Sequence, residues 1–377
     1  MNNYFSFNVI HQSTKSRARV GQIITPHGVI DTPGFVPVGT NGAMKAIDSV
    51  LLESIGVQLM FCNTYHLMLQ PGADIVAQAG GLHTFMNRSS PLITDSGGFQ
   101  VFSLMYGGVA RELKSQGTKA HSNSVVKINE DGVTFRSYRD GALIHLNPER
   151  SIQAQKKLGA DIILSFDELP PYHIDEKALK KSFERTHRWE ERSLIEHKAN
   201  PAQQALYGIV HGGIDPELRK QSAQILAAMD FDGYAIGGSV GKNRQEMTEM
   251  LSLLMPHLPE NKPNHLLGIA DIASLDASIP LGVDTFDSSH PSKCARHGKL
   301  FTNEGDLHIL RSGNSTRFEP ISRTCTCYTC QNYTIAYLNH LFKAHELSAY
   351  TLATIHNTHY VTQRMAHYRN MILHNLL

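Results

Sequence analysis

Eight short β-prone runs, each passing into a helix-like stretch, constrain this chain more than any single motif. They span residues 35–38, 58–62, 91–94, 161–166, 205–210, 233–236, 265–269 and 282–286. Helical periodicity fills most of the gaps between them; in 217–229 the apolar positions are Leu218, Ile225, Leu226 and Met229. Such repeated alternation predicts an α/β fold, a (β/α)8 TIM barrel, with an open doubly wound sheet as the alternative. A chain of 377 residues, 41% of them hydrophobic, can fill that core and carry an appendage.

In such barrels the C-terminal strand ends build the active site. The residues that follow the eight runs are Gly39, Asn63, Asp95, Asp167, His211, Gly237, Ala270 and Asp287. Carboxylates, an amide, an imidazole and glycines thus converge on one rim. The densest stretch is Thr94-Asp95-Ser96-Gly97-Gly98-Phe99-Gln100, directly after Pro91-Leu92-Ile93. Paired glycines let the backbone approach a ligand, Asp95 suits acid–base chemistry, and Phe99 offers a flat face. The same residues also fit a tight turn with an N-capping aspartate.

Two regions break the repeat. Residues 1–33 read as hairpins turning at Thr25-Pro26-His27-Gly28. Residues 125–145 read as a second hairpin set, turning at Asn129-Glu130-Asp131-Gly132 and Arg139-Asp140-Gly141. Between barrel and hairpins, 106–124 is rich in Gly, Ser and Lys and is predicted to be a mobile loop over the rim. The expected division is therefore an N-terminal cap (1–33), a catalytic barrel (34–300) with an insertion at 106–145, and a C-terminal module (301–377).

A net charge of +1 announces no nucleic-acid partner, so any phosphate contact must come from a local patch. Residues 291–323 offer one, with Lys293, Arg296, Lys299, Arg311, Arg317 and Arg323 against Glu304, Asp306 and Glu319. The N-terminus lacks a signal-peptide pattern and no apolar run is long enough to span a bilayer. Of five cysteines, Cys62 and Cys294 stand alone while Cys325, Cys327 and Cys330 crowd together. That distribution suits a cytoplasmic protein with a metal site better than a disulfide scaffold. Three thiolates and one imidazole make a closed, structural Zn2+ site, one ion per chain. His340, His345, His356 and His359 are all near, and the helical run 349–360 can fold His356 back onto the cysteines. A redox role for the thiols is the alternative.

With these residues assembled, the chain resembles the tRNA-guanine transglycosylases, or queuine tRNA-ribosyltransferases, of bacterial type. The likeness runs nearly end to end, through Val36-Pro37-Val38-Gly39-Thr40, Asn63-Thr64-Tyr65-His66-Leu67 and the Asp95–Gln100 stretch. It continues through Ser165-Phe166-Asp167-Glu168, Gly237-Gly238, Asp284-Thr285-Phe286-Asp287 and the cysteine cluster with His356. The family's fold is a zinc-bearing (β/α)8 barrel, its bacterial members are homodimers, and they replace the guanine wobble base of certain tRNAs with a 7-deazaguanine.

The resemblance implies roles residue by residue. Asp287 would be the nucleophile and Asp95 the general acid/base, which fits exchange at one face of the ribose by double displacement. Asp167 would read the guanine edge, Gly238 would donate its N–H to the base carbonyl, and Phe99 and Leu267 would cover the two faces of the flipped base. Ser96, Gly97, Gly98 and His211 would complete the base site. Ser292, Lys293, Cys294, Ala295 and Arg296 match the segment that meets RNA around the wobble base. Lys293 stands where relatives usually carry Arg, keeping the charge but losing the planar fork.

Three departures bear on which base is used. Leu169 replaces a cysteine common in bacterial members, His211 replaces a glutamine, and Lys242 stands where a glutamate would hold an aminomethyl cation. The loop Gly237-Gly238-Ser239-Val240-Gly241-Lys242 is also one residue shorter than the usual bacterial Gly-Gly-Leu-Ala-Val-Gly-Glu, and with the room this leaves, these departures predict a shift from 7-aminomethyl-7-deazaguanine toward the bulkier queuine. Two other classes compete: a retaining glycosidase using Asp95 and Asp287, and a non-catalytic tRNA-binding subunit.

Overall fold

The computed structural model describes residues 4–106 and 125–377. Eight parallel strands form its centre: β1 (Gly34–Pro37), β2 (Met60–Cys62), β3 (Leu92–Thr94), β4 (Ile162–Leu164), β5 (Ala205–Val210), β6 (Gly233–Ile236), β7 (Asn264–Leu266) and β8 (Thr285–Ser288). Each pairs with its sequence neighbours, and β8 returns to β1 through Thr285↔Gly34 and Asp287↔Val36. The Val38↔Phe61 bridge joins β1 to β2, and Gly39 N–H donates to Phe61 O at 2.7 Å. The sheet is therefore a closed barrel, and the doubly wound alternative falls.

Strand bounds agree for β5 and β6, while the eighth run is shifted. Residues 282–284 precede β8 because Gly282, at φ 95°, ends the 3-10 turn Ile279–Leu281. Asp284 is instead a buried clamp on Arg19, accepting from Nε at 2.8 Å and from Nη2 at 2.7 Å. Removing either partner would leave an uncompensated buried charge. Asp287 consequently lies inside β8 rather than after it.

The N-terminal hairpins form an antiparallel sheet of Ser6–Gln12, Arg19–Thr25 and Gly28–Thr32. Its Ile23 and Ile30 are buried with Val36, Phe61, Ile93, Ile162, Leu164 and Tyr207, so the sheet plugs the barrel's N-terminal mouth. At that end Asp161, wholly buried, takes His27 Nδ1 at 2.7 Å and lies 3.1 Å from His83 Nε2. The second antiparallel sheet, Val125–Ile128, Val133–Arg136 and Leu143–Leu146, packs Val133, Phe135 and Leu146 against Tyr65, Phe166 and Trp189. The loop expected over 106–124 lies, from residue 107 onward, outside the described residues.

The C-terminal segment contains helices Tyr328–Asn332, Ile335–Lys343 and the long Leu347–Leu373. That long helix packs on β1 and on the helix His290–Arg296, and Arg369 Nη1 donates to Pro33 O at 2.8 Å. The cysteine-bearing loop thus interrupts the last βα unit, and the 301–377 segment shares its longest helix with the barrel. No helix among the described residues is long and apolar enough to cross a membrane.

Candidate active site and metal centre

The rim at the C-terminal strand ends gathers three aspartates, each held differently. Asp95 follows β3 and accepts from Asn63 Nδ2 at 2.7 Å, Thr64 N–H at 2.7 Å and Gln100 Nε2 at 3.0 Å. Burial pushes its carboxyl up to about 6 against those donors, with the charge of Asp287 adding to the rise. An acid raised toward neutrality both releases and takes up a proton more evenly than a free carboxyl, which suits proton transfer in both directions.

Asp287 is 6% exposed, and its Oδ1 takes His265 Nε2 at 3.1 Å and Gly268 N–H at 2.7 Å. His265 is itself held at Nδ1 by Thr285 Oγ1, 2.9 Å away. One carboxylate oxygen is thereby fixed, while Oδ2 takes no bond from the described residues. Asp167, after β4, takes Ser96 Oγ on Oδ1 at 2.9 Å and His211 Nε2 on Oδ2 at 3.0 Å. Gly98 passes so close that a Cβ there would lie 2.6 Å from Asp167 Oδ1 and 2.5 Å from Asp167 O. No residue larger than glycine fits without moving that carboxylate.

Around these acids, Gly97 and Ser96 form the turn after β3, and Phe99 opens the helix Gly98–Tyr106 with its ring 46% exposed. Leu267 is half-buried at the end of β7 against the barrel interior. Gly238, at φ 75°, follows β6 beside the His211 ring. In the helix His290–Arg296, Lys293 is exposed and Cys294 and Arg296 are half-buried, whereas Ser292 and Ala295 face the interior. That helix therefore turns its Lys293, Cys294 and Arg296 side chains outward.

Two expectations about the base site change. His211, expected to complete the base site in place of a glutamine, has its Nε2 committed to Asp167 at 3.0 Å and so orients that carboxylate. Lys242 was expected to add an unbalanced cation. Instead its Nζ lies 2.9 Å from Glu246 Oε1, while Glu246 Oε2 accepts from the Lys242 N–H and from Tyr172 Oη, both at 3.0 Å. The corner is neutral, because the i,i+4 acid at the start of helix Arg244–Leu254 captures the lysine.

Sequence reasoning did not single out His265, which holds Asp287, or two buried charged residues behind the rim, Arg219 and Glu190. His265 lies within a β run and carries no local signal beyond its inward register. Arg219 sits in a helix where its charge suggests solvent, yet it is 1% exposed. Glu190, fully buried, accepts from Ile209 N–H at 2.7 Å, and burial raises its carboxyl well above the usual range.

At the cysteine loop, His356 Nδ1 lies 3.8, 3.5 and 3.3 Å from the Sγ atoms of Cys325, Cys327 and Cys330. A tetrahedral zinc with its usual bond lengths sets sulfur and nitrogen about 3.6 Å apart, so the donor set fits a closed metal site. His356 Nε2 donates to Phe301 O at 2.8 Å, which leaves Nδ1 as the ligating lone pair. His356 lies on the long helix as expected, and His340, His345 and His359 are outside the cluster.

The family model for queuine tRNA-ribosyltransferase matches residues 13–377. The chain is 61% identical over 374 residues to the queuine tRNA-ribosyltransferase of Protochlamydia amoebophila, covering 99% of this chain and 97% of that one. It is 52% identical over 370 residues to the protein of that name from Chlamydia caviae, covering 98% of each. The corresponding Chlamydia trachomatis serovar D protein is 51% identical over 370 residues, again covering 98% of each. With its barrel, its three held aspartates and its Cys3His cluster, the chain belongs to the queuine tRNA-ribosyltransferase family.

Proposed function

We propose that this protein exchanges the guanine at the wobble position of tRNA anticodons for a 7-deazaguanine, in queuosine modification. The observation that carries this is the pairing of a half-held Asp287 with a buried, proton-sharing Asp95 on one barrel rim. Asp287 Oδ2 attacks ribose C1′, the bond to guanine N9 breaks, and the electron pair leaves with the base. Asp95 supplies the proton that the departing guanine takes up. The incoming base returns a proton to Asp95 and attacks C1′ from the face the first base left, releasing Asp287. Asp167 accepts from the base edge, held in place by Ser96 and His211. Phe99 and Leu267 enclose the extruded base, and Lys293 and Arg296 meet the flanking phosphates.

Cys325, Cys327, Cys330 and His356 hold one Zn2+, whose chemistry here is to cross-link the loop to the long helix. The five free thiols suit a reducing compartment, and we assign the protein to the cytoplasm. A homodimer is the functional unit we favour, supported by the exposed Phe318, Tyr328, Tyr337 and Leu347 of the C-terminal segment.

Queuine is the base we favour over 7-aminomethyl-7-deazaguanine. Leu169 brings a half-buried apolar side chain next to the Asp167 loop, and Glu246 already pairs with the Lys242 ammonium and takes two further donors, which offsets its charge toward an aminomethyl cation. The test of the whole proposal is exchange of labelled guanine into purified tRNA, with each deazaguanine as competitor. No exchange sinks the activity, and a higher kcat/KM for 7-aminomethyl-7-deazaguanine sinks the base preference alone.

A further inference from the structure

Behind the base site lies a cation that the mechanism above does not use. Arg219 projects from the first turns of helix Pro216–Ala227 and is 1% exposed. Its guanidinium meets backbone carbonyls at the ends of two adjacent barrel strands. Nε donates to Gly213 O at 2.8 Å, and Nη1 donates to Val210 O at 2.8 Å and to Gly237 O at 2.7 Å. Nη2 donates to Ser239 O at 2.9 Å. No carboxylate among the described residues pairs with it, and burial lowers it to about 9, still cationic at neutral pH. An uncompensated buried charge is costly to keep, and packing alone would be served by an apolar side chain of similar volume.

Peptide geometry says what the charge does. In a trans peptide the C=O of one residue and the N–H of the next point in opposite directions. Because Gly237 C=O is drawn onto Arg219, Gly238 N–H must point away from it, and no described residue accepts that N–H. The backbone passes between the guanidinium and His211: a Cβ on Gly238 would lie 3.2 Å from Arg219 Nη2 and 3.5 Å from His211 Nδ1. We propose that Arg219 is a positioning residue for the nucleobase, turning the Gly237-Gly238 peptide so that its N–H faces the base carbonyl. Its charge, behind that N–H, further favours the negative charge that collects on the carbonyl as the base departs. This rests on the base-exchange function above, with Gly238 as the carbonyl donor.

The test uses full-length Arg219→Lys and Arg219→Gln, checked for folding by circular dichroism and thermal melting. Lysine keeps the charge and three donors but cannot span all four carbonyls. In Arg219→Lys the KM for guanine should rise about tenfold, while the KM for tRNA stays within about twofold of wild type. The covalent RNA adduct should still form at wild-type yield, since Asp287 is untouched. In Arg219→Gln, if it folds, the guanine KM should rise further. Unchanged guanine KM in folded Arg219→Lys overturns the proposal, as does a parallel rise in both KM values, which marks a merely structural role. Absence of the adduct in wild type itself overturns the base-exchange function and the proposal with it.

Discussion

Replacing Asp95 with Asn tests whether burial, rather than any partner, sets the proton affinity of this acid. The carboxyl is held at about 6 instead of 3.8, so the folded protein binds its proton more tightly than the unfolded chain does. The sign follows directly. The stabilising contribution is complete below pH 3.8, shrinks as pH rises, and is gone above about 6. At 1.36 kcal/mol per pH unit, ionised Asp95 costs the native state about 3 kcal/mol at pH 8. At pH 5 the cost is only about half of that, so the change between pH 5 and pH 8 is about 1.4 kcal/mol.

The asparagine variant carries no such charge. Its Oδ1 can still accept from Thr64 N–H, and its amide can meet Gln100 Oε1, which is buried without a partner in the native arrangement. The Asn63 amide must reorient, at a cost on the order of 1–3 kcal/mol that does not vary with pH. Urea unfolding of Asp95→Asn and wild type at pH 5, 6.5 and 8 should therefore show the variant gaining on wild type by about 1.4 kcal/mol across the range. Exchange activity should be lost throughout. A stability difference that is flat with pH would refute the buried-acid reasoning, whatever its absolute size.

Asp287→Asn should bind tRNA but trap no covalent adduct on denaturing gels, and an adduct of normal yield would move the nucleophile elsewhere. Cys325→Ser should lower bound zinc measured by mass spectrometry and lower the melting temperature. Full stability in metal-free protein would remove the structural role of the ion. Gly98→Ala places a Cβ 2.6 Å from Asp167 Oδ1, and the displaced carboxylate should raise the guanine KM by about tenfold while adduct formation survives. An unchanged guanine KM there would show that the Asp167 carboxylate is not the base reader.

The sequence shows the barrel where punctuation is sharp. β5 and β6 are bounded correctly because His-Gly-Gly and Gly-Gly follow them, whereas β8 was started too early because Gly282-Val283-Asp284 has the look of a strand entry. Asp284 serves a distant partner, Arg19, and nothing local reveals a pairing across that separation. The acids at the rim and the metal cluster were legible since their chemistry is concentrated in short stretches. Arg219 and His265 were not, because a polar residue acting on backbone or on a carboxylate from another strand leaves no periodic trace. The Lys242–Glu246 pair was legible in principle, as its i,i+4 spacing at a helix start is a local signal.

The Cys3His cluster and the helix His290–Arg296 are joined by one residue, and that linkage gives an ion bound at the cluster a route to the segment bearing Lys293 and Arg296. Asn357 follows His356 on the long helix and is wholly buried. Its amide donates to Pro291 O at 3.1 Å and to Lys299 O at 2.9 Å, and its Oδ1 accepts from Phe301 N–H at 3.0 Å. Pro291 belongs to helix His290–Arg296, which starts two residues after Ser288 at the end of β8, the strand that carries Asp287. Phe301 is also the residue whose carbonyl fixes the His356 tautomer. A metal that pins His356 therefore pins Asn357, and through it the ends of the segment bearing Lys293 and Arg296. Losing the ion would loosen that segment before it touched the carboxylates at the barrel rim, so the expected first loss is tRNA affinity rather than the rate of base exchange on tRNA already bound.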